Sequence, residues 1–320
     1  MGFLGFVLIY VFAEIFLFRN LAFYGHEYRS FVGQFAELDV SFQHANPSAI
    51  DTVIFGDSQS KDALRPDLLA AASGRNPESI FNFSVSGGKA YEMYHNYLKY
   101  VDRLPHVKEA IIVINEHQIN SYNMANDPKF RYYAGLKDRI RIMNKDNYGE
   151  LALGWASKAI DLRDIWSKMV RSYFKGTLPK PLATVWQPGG LRAETEVKQE
   201  NLTAAYAEKT ADGWFQNYDL NGLQTESLES LLKELHSKGI KIVILQIPRS
   251  DLFEAVIKKK YAKQQQAYFN EIQYLATEYD AEFHVMSNQG LTLKEYFRDT
   301  NHLRPKGAKV VSQRIAEQWL

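Results

Sequence analysis

Apolar residues along the chain fall into two regimes. From Gly2 to Phe18 nearly every position is apolar (Phe3, Leu4, Phe6, Val7, Leu8, Ile9, Val11, Phe12, Ile15, Phe16, Leu17), interrupted only by Glu14, and apolar residues resume after Arg19 and Asn20. If the run continues to about Phe23 it is just long enough to span a bilayer, which takes about 20 apolar residues. A buried helix or a signal-peptide core has the same composition. No small-x-small cleavage site follows, which favours an uncleaved anchor or signal-anchor over residues 1–23. Glu14 is costly in lipid unless it lies at an interface or faces a partner helix. Arg19, His26 and Arg29 follow the run, which by the positive-inside rule puts the body of the chain in the cytoplasm.

Beyond a mixed connecting segment at 24–50, short apolar runs alternate with helical periodicity. Thr52–Phe55, Ser79–Phe83 and Glu109–Ile114 have the β-branched and aromatic content of buried strands. Pro66–Ala72 and Tyr91–Leu104 between them repeat at helical spacing. The alternation resumes with a helix over Leu223–Ser237 ended by Gly239, a strand over Lys241–Ile247 stopped by Pro248, a helix over Gln264–Tyr279, a strand over Ala281–Val285 and a terminal helix from Pro305. Strand and helix in this order predict an α/β fold with a parallel sheet flanked by helices. Residues of about 125–220 break the rhythm with Trp, Tyr, Lys and Arg and with loop-like Pro179, Pro181 and Pro188-Gly189-Gly190; they are expected to form an insertion that shapes the substrate surface.

Composition narrows the function. With 320 residues, 46% hydrophobic and 23% charged, the chain can bury a large core. Its 38 Lys and Arg balance 37 Asp and Glu, so charge does not point to nucleic acid. The absence of cysteine excludes disulfides, thiolate zinc sites and a cysteine nucleophile. No Walker loop and no His-Glu-x-x-His pair is present, and no metal or other cofactor is expected.

The chemistry-bearing residues lie at the two ends of the α/β region. Gly56-Asp57-Ser58 follows the first strand, and Asp299-Thr300-Asn301-His302-Leu303 precedes the terminal helix. A serine hydroxyl becomes a nucleophile when an imidazole takes its proton and a carboxylate holds that imidazole in the right tautomer. Ser58 is expected beyond a strand C-terminus, where ligands collect in such sheets, with its Oγ near His302 Nε2 and Asp299 near Nδ1.

These blocks resemble those of the SGNH, or GDSL, hydrolase superfamily, whose nucleophile block is Gly-Asp-Ser and whose last block is Asp-x-x-His. Phe81-Asn82-Phe83-Ser84-Val85-Ser86-Gly87 is similar to the second block, whose glycine supplies an oxyanion-hole amide. The resemblance covers about residues 50–125 and 235–320. It implies a flavodoxin-like domain over 51–320, a catalytic Ser58, His302 and Asp299, and an oxyanion hole from the amides of Ser58 and Gly87. The third block departs: where the family has an asparagine donor the chain reads Asn115-Glu116-His117, so either His117 or Asn115 could complete the hole.

An apolar N-terminus ahead of such a domain resembles the DltD-type and alginate-acetylation-type members. That resemblance implies a single-pass protein of the cytoplasmic membrane with its catalytic domain outside, acylating a cell-envelope glycan or teichoic acid beside a membrane-bound O-acyltransferase. Trp155, Trp166, Trp186 and Trp214 are candidates for stacking on sugar rings. An esterase that uses water and a non-catalytic scaffold with a vestigial triad remain as alternatives.

Overall fold

The computed structural model describes residues 2–27, 31–178, 189 and 199–320. Arg29, Pro179, Pro181, Trp186, Pro188 and Gly190 lie outside the described residues. The chain forms two compact units, one from residues 1–40 and 123–185 and the other from 41–122 and 186–320.

The second unit is built on five parallel strands, β1 (Thr52–Phe55), β2 (Ile80–Asn82), β3 (Glu109–Val113), β4 (Lys241–Gln246) and β5 (Glu282–Val285), in the order β2-β1-β3-β4-β5. This is the doubly wound order of flavodoxin-like sheets, and all pairs are parallel. Both faces are apolar, as expected of strands covered by helices on each side. On one face Ile54, Ile111, Val113, Val243 and Leu245 pack with residues of helices Ser58–Ala63, Pro66–Ser73 and Pro305–Trp319. On the other Phe55, Phe81 and Phe83 join Phe42 and Tyr100 in a chain of ring contacts with centroids 4.5–5.9 Å apart.

Strand positions agree with the expected runs to within a residue or two. Between β4 and β5 one helix was not expected from the sequence. Asp251–Lys260 follows β4 directly, started by Ser250, whose Oγ accepts from Phe253 N, and buries Phe253 and Ile257 one turn apart.

The expected insertion of 125–220 is not one irregular block. Its first part is helical, with Pro128–Tyr133, Leu136–Ile142, Tyr148–Ala156, Lys158–Asp161 and Arg163–Phe174, and it folds with the N-terminal residues rather than with the sheet. Its last described part, with helix Ala204–Trp214, belongs to the sheet unit.

Within the first unit, the stretch that reads as a single span over 1–23 is divided. Gly2–Ala13 is α-helical, Glu14–Phe18 widens into a π-helical turn, and Leu21–His26 is a separate 3₁₀ segment. No helix among the described residues is long and apolar enough to cross a membrane. The break falls where the charge does. The Glu14 carboxylate is buried and accepts from the amides of Lys158 (2.7 Å) and Ala159 (3.0 Å) and from Ser157 Oγ (3.1 Å), and it pairs with Arg19 at 3.0 Å. An acidic residue in an apolar run is thus satisfied by hydrogen bonds and an ion pair, as a buried carboxylate requires. Ring contacts Tyr24–Tyr132 and Phe35–Tyr133 join the same two chain segments. Deeper in this unit Arg139, fully buried, meets Asp161 at 2.5 Å.

Candidate active site

The turn that follows β1 is shaped by its glycine. A Cβ on Gly56 would lie 2.4 Å from Ser60 Cβ and 3.2 Å from Ser84 Oγ, so only glycine lets the strand end approach the next helix this closely. Asp57 then caps helix Ser58–Ala63: its Oδ1 accepts from Gln59 N at 2.8 Å, which starts the helix on Ser58. Ser58 therefore stands at the C-terminal edge of the sheet, beside the β1/β3 position where the strand order reverses.

His302 reaches it from the loop before the terminal helix. Ser58 Oγ lies 2.8 Å from His302 Nε2, and His302 Nδ1 lies 2.9 and 3.0 Å from the two oxygens of Asp299. The loop is closed by a Phe297–Leu303 bridge and by Arg298 N donating to His302 O. Asp299 Oδ1 also accepts from the amides of Asn301 and His302, each at 2.9 Å, so one carboxylate fixes both the loop backbone and the imidazole. Burial pushes the Asp299 carboxyl up, but the hydrogen bond and charge of His302 and those two amides outweigh it and hold its pKa below the ordinary value. An ionised Asp299 can only accept, so Nδ1 carries the proton and Nε2 is left to accept from the Ser58 hydroxyl.

Two further contacts seat the loop. Ser250 donates to Thr300 O through Oγ at 2.5 Å and through N at 3.2 Å, and Arg298 pairs with Asp62 of the Ser58 helix at 3.0 Å. Each end of the relay is thus tied to the other outside the Ser58–His302 bond itself.

The loop after β2 abuts the nucleophile turn. Ser84 Oγ donates to Ser60 Oγ at 2.8 Å, Val85 N reaches Gly56 O at 3.4 Å, and Gly87 adopts φ +64, which favours glycine. This loop is joined to the segment after β3 by Gln118 Nε2, which donates to Gly88 O at 3.3 Å.

The two side chains expected as alternatives for a third donor have other surroundings. His117 Nε2 lies 3.1 Å from Asp57 Oδ2, its ring stacks on Trp214 with centroids 4.3 Å apart, and its Nδ1 is buried without a partner. Asn115 is fully buried, and neither polar atom of its side-chain amide has a partner. As placed, neither offers a donor that is both exposed and unspent.

Several neighbours were not evident in the sequence. Between Asn115 and His117, Glu116 forms a fully buried pair with Arg249, at 2.5 and 3.2 Å. Burial opposes the Arg249 charge, but Glu116 and Glu254 more than offset it, so its pKa lies above the ordinary value. The guanidinium also sits over the rings of Trp214 (5.7 Å) and Phe253 (5.4 Å). Residues 199–214 reach the surroundings of the site at two points: Glu200 N donates to Arg298 O at 2.9 Å, and Trp214 covers His117, which pairs with Asp57. Tyr206 on this segment has its phenol pKa raised by burial first and by the Asp299 carboxylate second. The cues were a threonine cap at Thr203 and alanines one turn apart, Ala207 and Ala211.

Of the tryptophans considered for sugar stacking, Trp214 is committed to His117, Phe253 and Arg249. Trp166 packs on Phe18 and donates to Ala159 O. Trp155 is exposed. Among the described residues no three His, Asp or Glu side chains cluster so as to hold a metal ion. No protein-family model matches the chain, and no curated protein matches it.

Proposed function

We propose that this protein is a serine acyl-transfer enzyme of the SGNH type, acting outside the cytoplasmic membrane on an acyl ester of a cell-envelope glycan or teichoic acid, with a membrane-bound O-acyltransferase as its partner. The observation that carries the reading is the hydrogen-bonded series Ser58 Oγ, His302 and Asp299, with contacts of 2.8 and 2.9 Å at the C-terminal edge of a doubly wound sheet.

The chemistry follows from proton bookkeeping. As Ser58 Oγ attacks the acyl carbonyl carbon, His302 Nε2 takes the hydroxyl proton, and Asp299 stabilises the imidazolium that forms. The amides of Ser58 and Gly87 bind the oxyanion. Collapse expels the alcohol, which receives the proton from His302, and leaves an acyl group on Ser58. A second hydroxyl then gives its proton to His302 and attacks the acyl carbon; as the acyl–Oγ bond breaks, His302 returns the proton to Ser58 Oγ and the free enzyme is restored. Water as that second hydroxyl makes the enzyme an esterase; a sugar or polyol hydroxyl makes it an O-acyltransferase. The substrate class and the location rest on the family resemblance and on the apolar N-terminus.

The test supplies the protein with an aryl acetate, with and without a glycan acceptor. Acetyl appearing on the glycan and lost in Ser58→Ala supports transfer; fast Ser58-dependent release to water alone favours the esterase. No turnover by the intact protein, with or without its membrane partner, would leave a scaffold role.

A further inference from the structure

The unit formed by residues 2–40 and 123–178 exposes apolar side chains on its N-terminal helix and on several helices of its body, including Tyr148, Leu153 and Trp155 of helix Tyr148–Ala156. The helix Gly2–Ala13 exposes them all round: Phe3, Leu4, Phe6, Ile9 and Phe12 are each more than 60% accessible, and at about 100° per residue they do not share one face. A single protein groove covers one face of a helix, whereas lipid surrounds it. Its end is fastened to the body of the same unit by the Glu14 carboxylate on the Lys158 and Ala159 amides and by Tyr10 OH, which donates to Ser157 Oγ at 2.5 Å.

On that body, in helix Arg163–Phe174, Val170, Tyr173 and Phe174 are exposed at i, i+3 and i+4, Tyr173 by 67% and Phe174 by 80%. In helix Leu136–Ile142, Leu136 and Ile140 are exposed one turn apart. Basic residues flank both sets, with Lys168, Arg171 and Lys175 at the first and Lys137 at the second. Residues 123–178 carry eleven Lys and Arg against six Asp and Glu, in a chain whose net charge is only +1. Exposed aromatics beside Lys and Arg on a helix are the marks of a segment that lies in a membrane interface.

We infer that helices Leu136–Ile142 and Arg163–Phe174 are a second membrane contact, lying on the surface of an anionic phospholipid bilayer that the N-terminal helix enters. The bilayer is favoured over a protein partner by the basic excess and by the attachment to the same unit of a helix that is apolar all round. The inference does not depend on the chemistry at Ser58.

The chain has no cysteine, so Thr177→Cys gives a single site for an environment-sensitive dye beside Phe174 while keeping both aromatics. The full chain is reconstituted with vesicles of phosphatidylcholine alone or with phosphatidylglycerol, and quenching of the dye by aqueous iodide is measured. Expected is a several-fold loss of quenching on the anionic vesicles at low salt, little on the neutral ones, and none for a dye at Lys258→Cys on the sheet unit. Adding either Tyr173→Ser or Phe174→Ser weakens the protected state on the order of tenfold, as loss of one buried aromatic ring implies. Lys168→Glu with Arg171→Glu and Lys175→Glu removes the preference for anionic lipid. A dye that stays fully quenchable on vesicle-bound protein, protection without vesicles through a second protein molecule, or protection indifferent to lipid charge would each overturn the inference.

Discussion

Replacing Arg249 by methionine tests the polar layer beneath the candidate site. Arg249 and Glu116 are both fully buried, and their contacts are 2.5 and 3.2 Å. In Arg249→Met the Glu116 carboxylate keeps, among the side chains of the described residues, only Gln265 Nε2, at 3.3 Å. Leaving one member of a buried pair uncompensated costs about 3–5 kcal/mol. The lost stacking over Trp214 and Phe253 adds on the order of 1 kcal/mol. Glu254, 39% exposed at its side chain, can return to water and adds little. The expected loss is therefore about 4–6 kcal/mol, read as a lower urea midpoint at unchanged slope. The double variant Glu116→Leu/Arg249→Met should recover most of it, because well-packed apolar residues replace a buried pair at little or no cost. A single-variant loss below about 1 kcal/mol, or a double variant no more stable than Arg249→Met, would refute the reasoning.

Asp299 gives a pH prediction. Its folded pKa lies below the ordinary 3.8, so its contribution to stability is full at pH values above that figure and is lost as pH falls through the lower, folded value. The stability gap between the protein and Asp299→Asn should accordingly be constant near neutrality and close under acid; a gap that widens below pH 4 would be inconsistent with an ionised, hydrogen-bonded Asp299. Gly56→Ala should cost about 1–3 kcal/mol through overpacking against Ser60 and should lower the rate of any Ser58-dependent reaction, because the helix carrying Ser58 must move; thermal melts and turnover check both, and an unshifted melt would contradict the close approach. Glu14→Gln should raise hydrogen exchange at the Lys158 and Ala159 amides on the order of tenfold, since hydrogen bonds to a charged group contribute about 1.5–3 kcal/mol; unchanged protection would mean that the carboxylate does not hold them.

The sheet was legible because buried parallel strands are short, apolar and punctuated: Thr52–Phe55 ends at Gly56 and the Lys241 run ends at Pro248. Ser58 was legible because it follows a strand end directly; Asp299 and His302 were legible only as an Asp-x-x-His block, since β5 ends at Val285 and a helix, Leu293–Tyr296, intervenes. What local pattern could not supply was the identity of partners. Glu14 stands out in an apolar run, but nothing near it points to amides at 158 and 159. Trp214 reads equally as a sugar platform or as packing, and only the fold puts His117 and Phe253 against it. The helices of 128–174 escaped because apolar residues on them face outward as well as inward and blur the apolar period, as Leu136, Ile140 and Tyr173 do. Helix Asp251–Lys260 did carry a readable cue, a serine cap ahead of Phe253 and Ile257.

The central claim, that Ser58 is an activated nucleophile, is tested most directly by covalent labelling. The full chain would be treated with a fluorophosphonate probe and the modified peptide identified by mass spectrometry. The account predicts one adduct, on Ser58, absent from Ser58→Ala and slowed by several orders of magnitude in His302→Ala with both variants folded, because the hydroxyl is unactivated without its base. A folded protein that takes no label at Ser58, or that labels Ser58 equally well without His302, would contradict it.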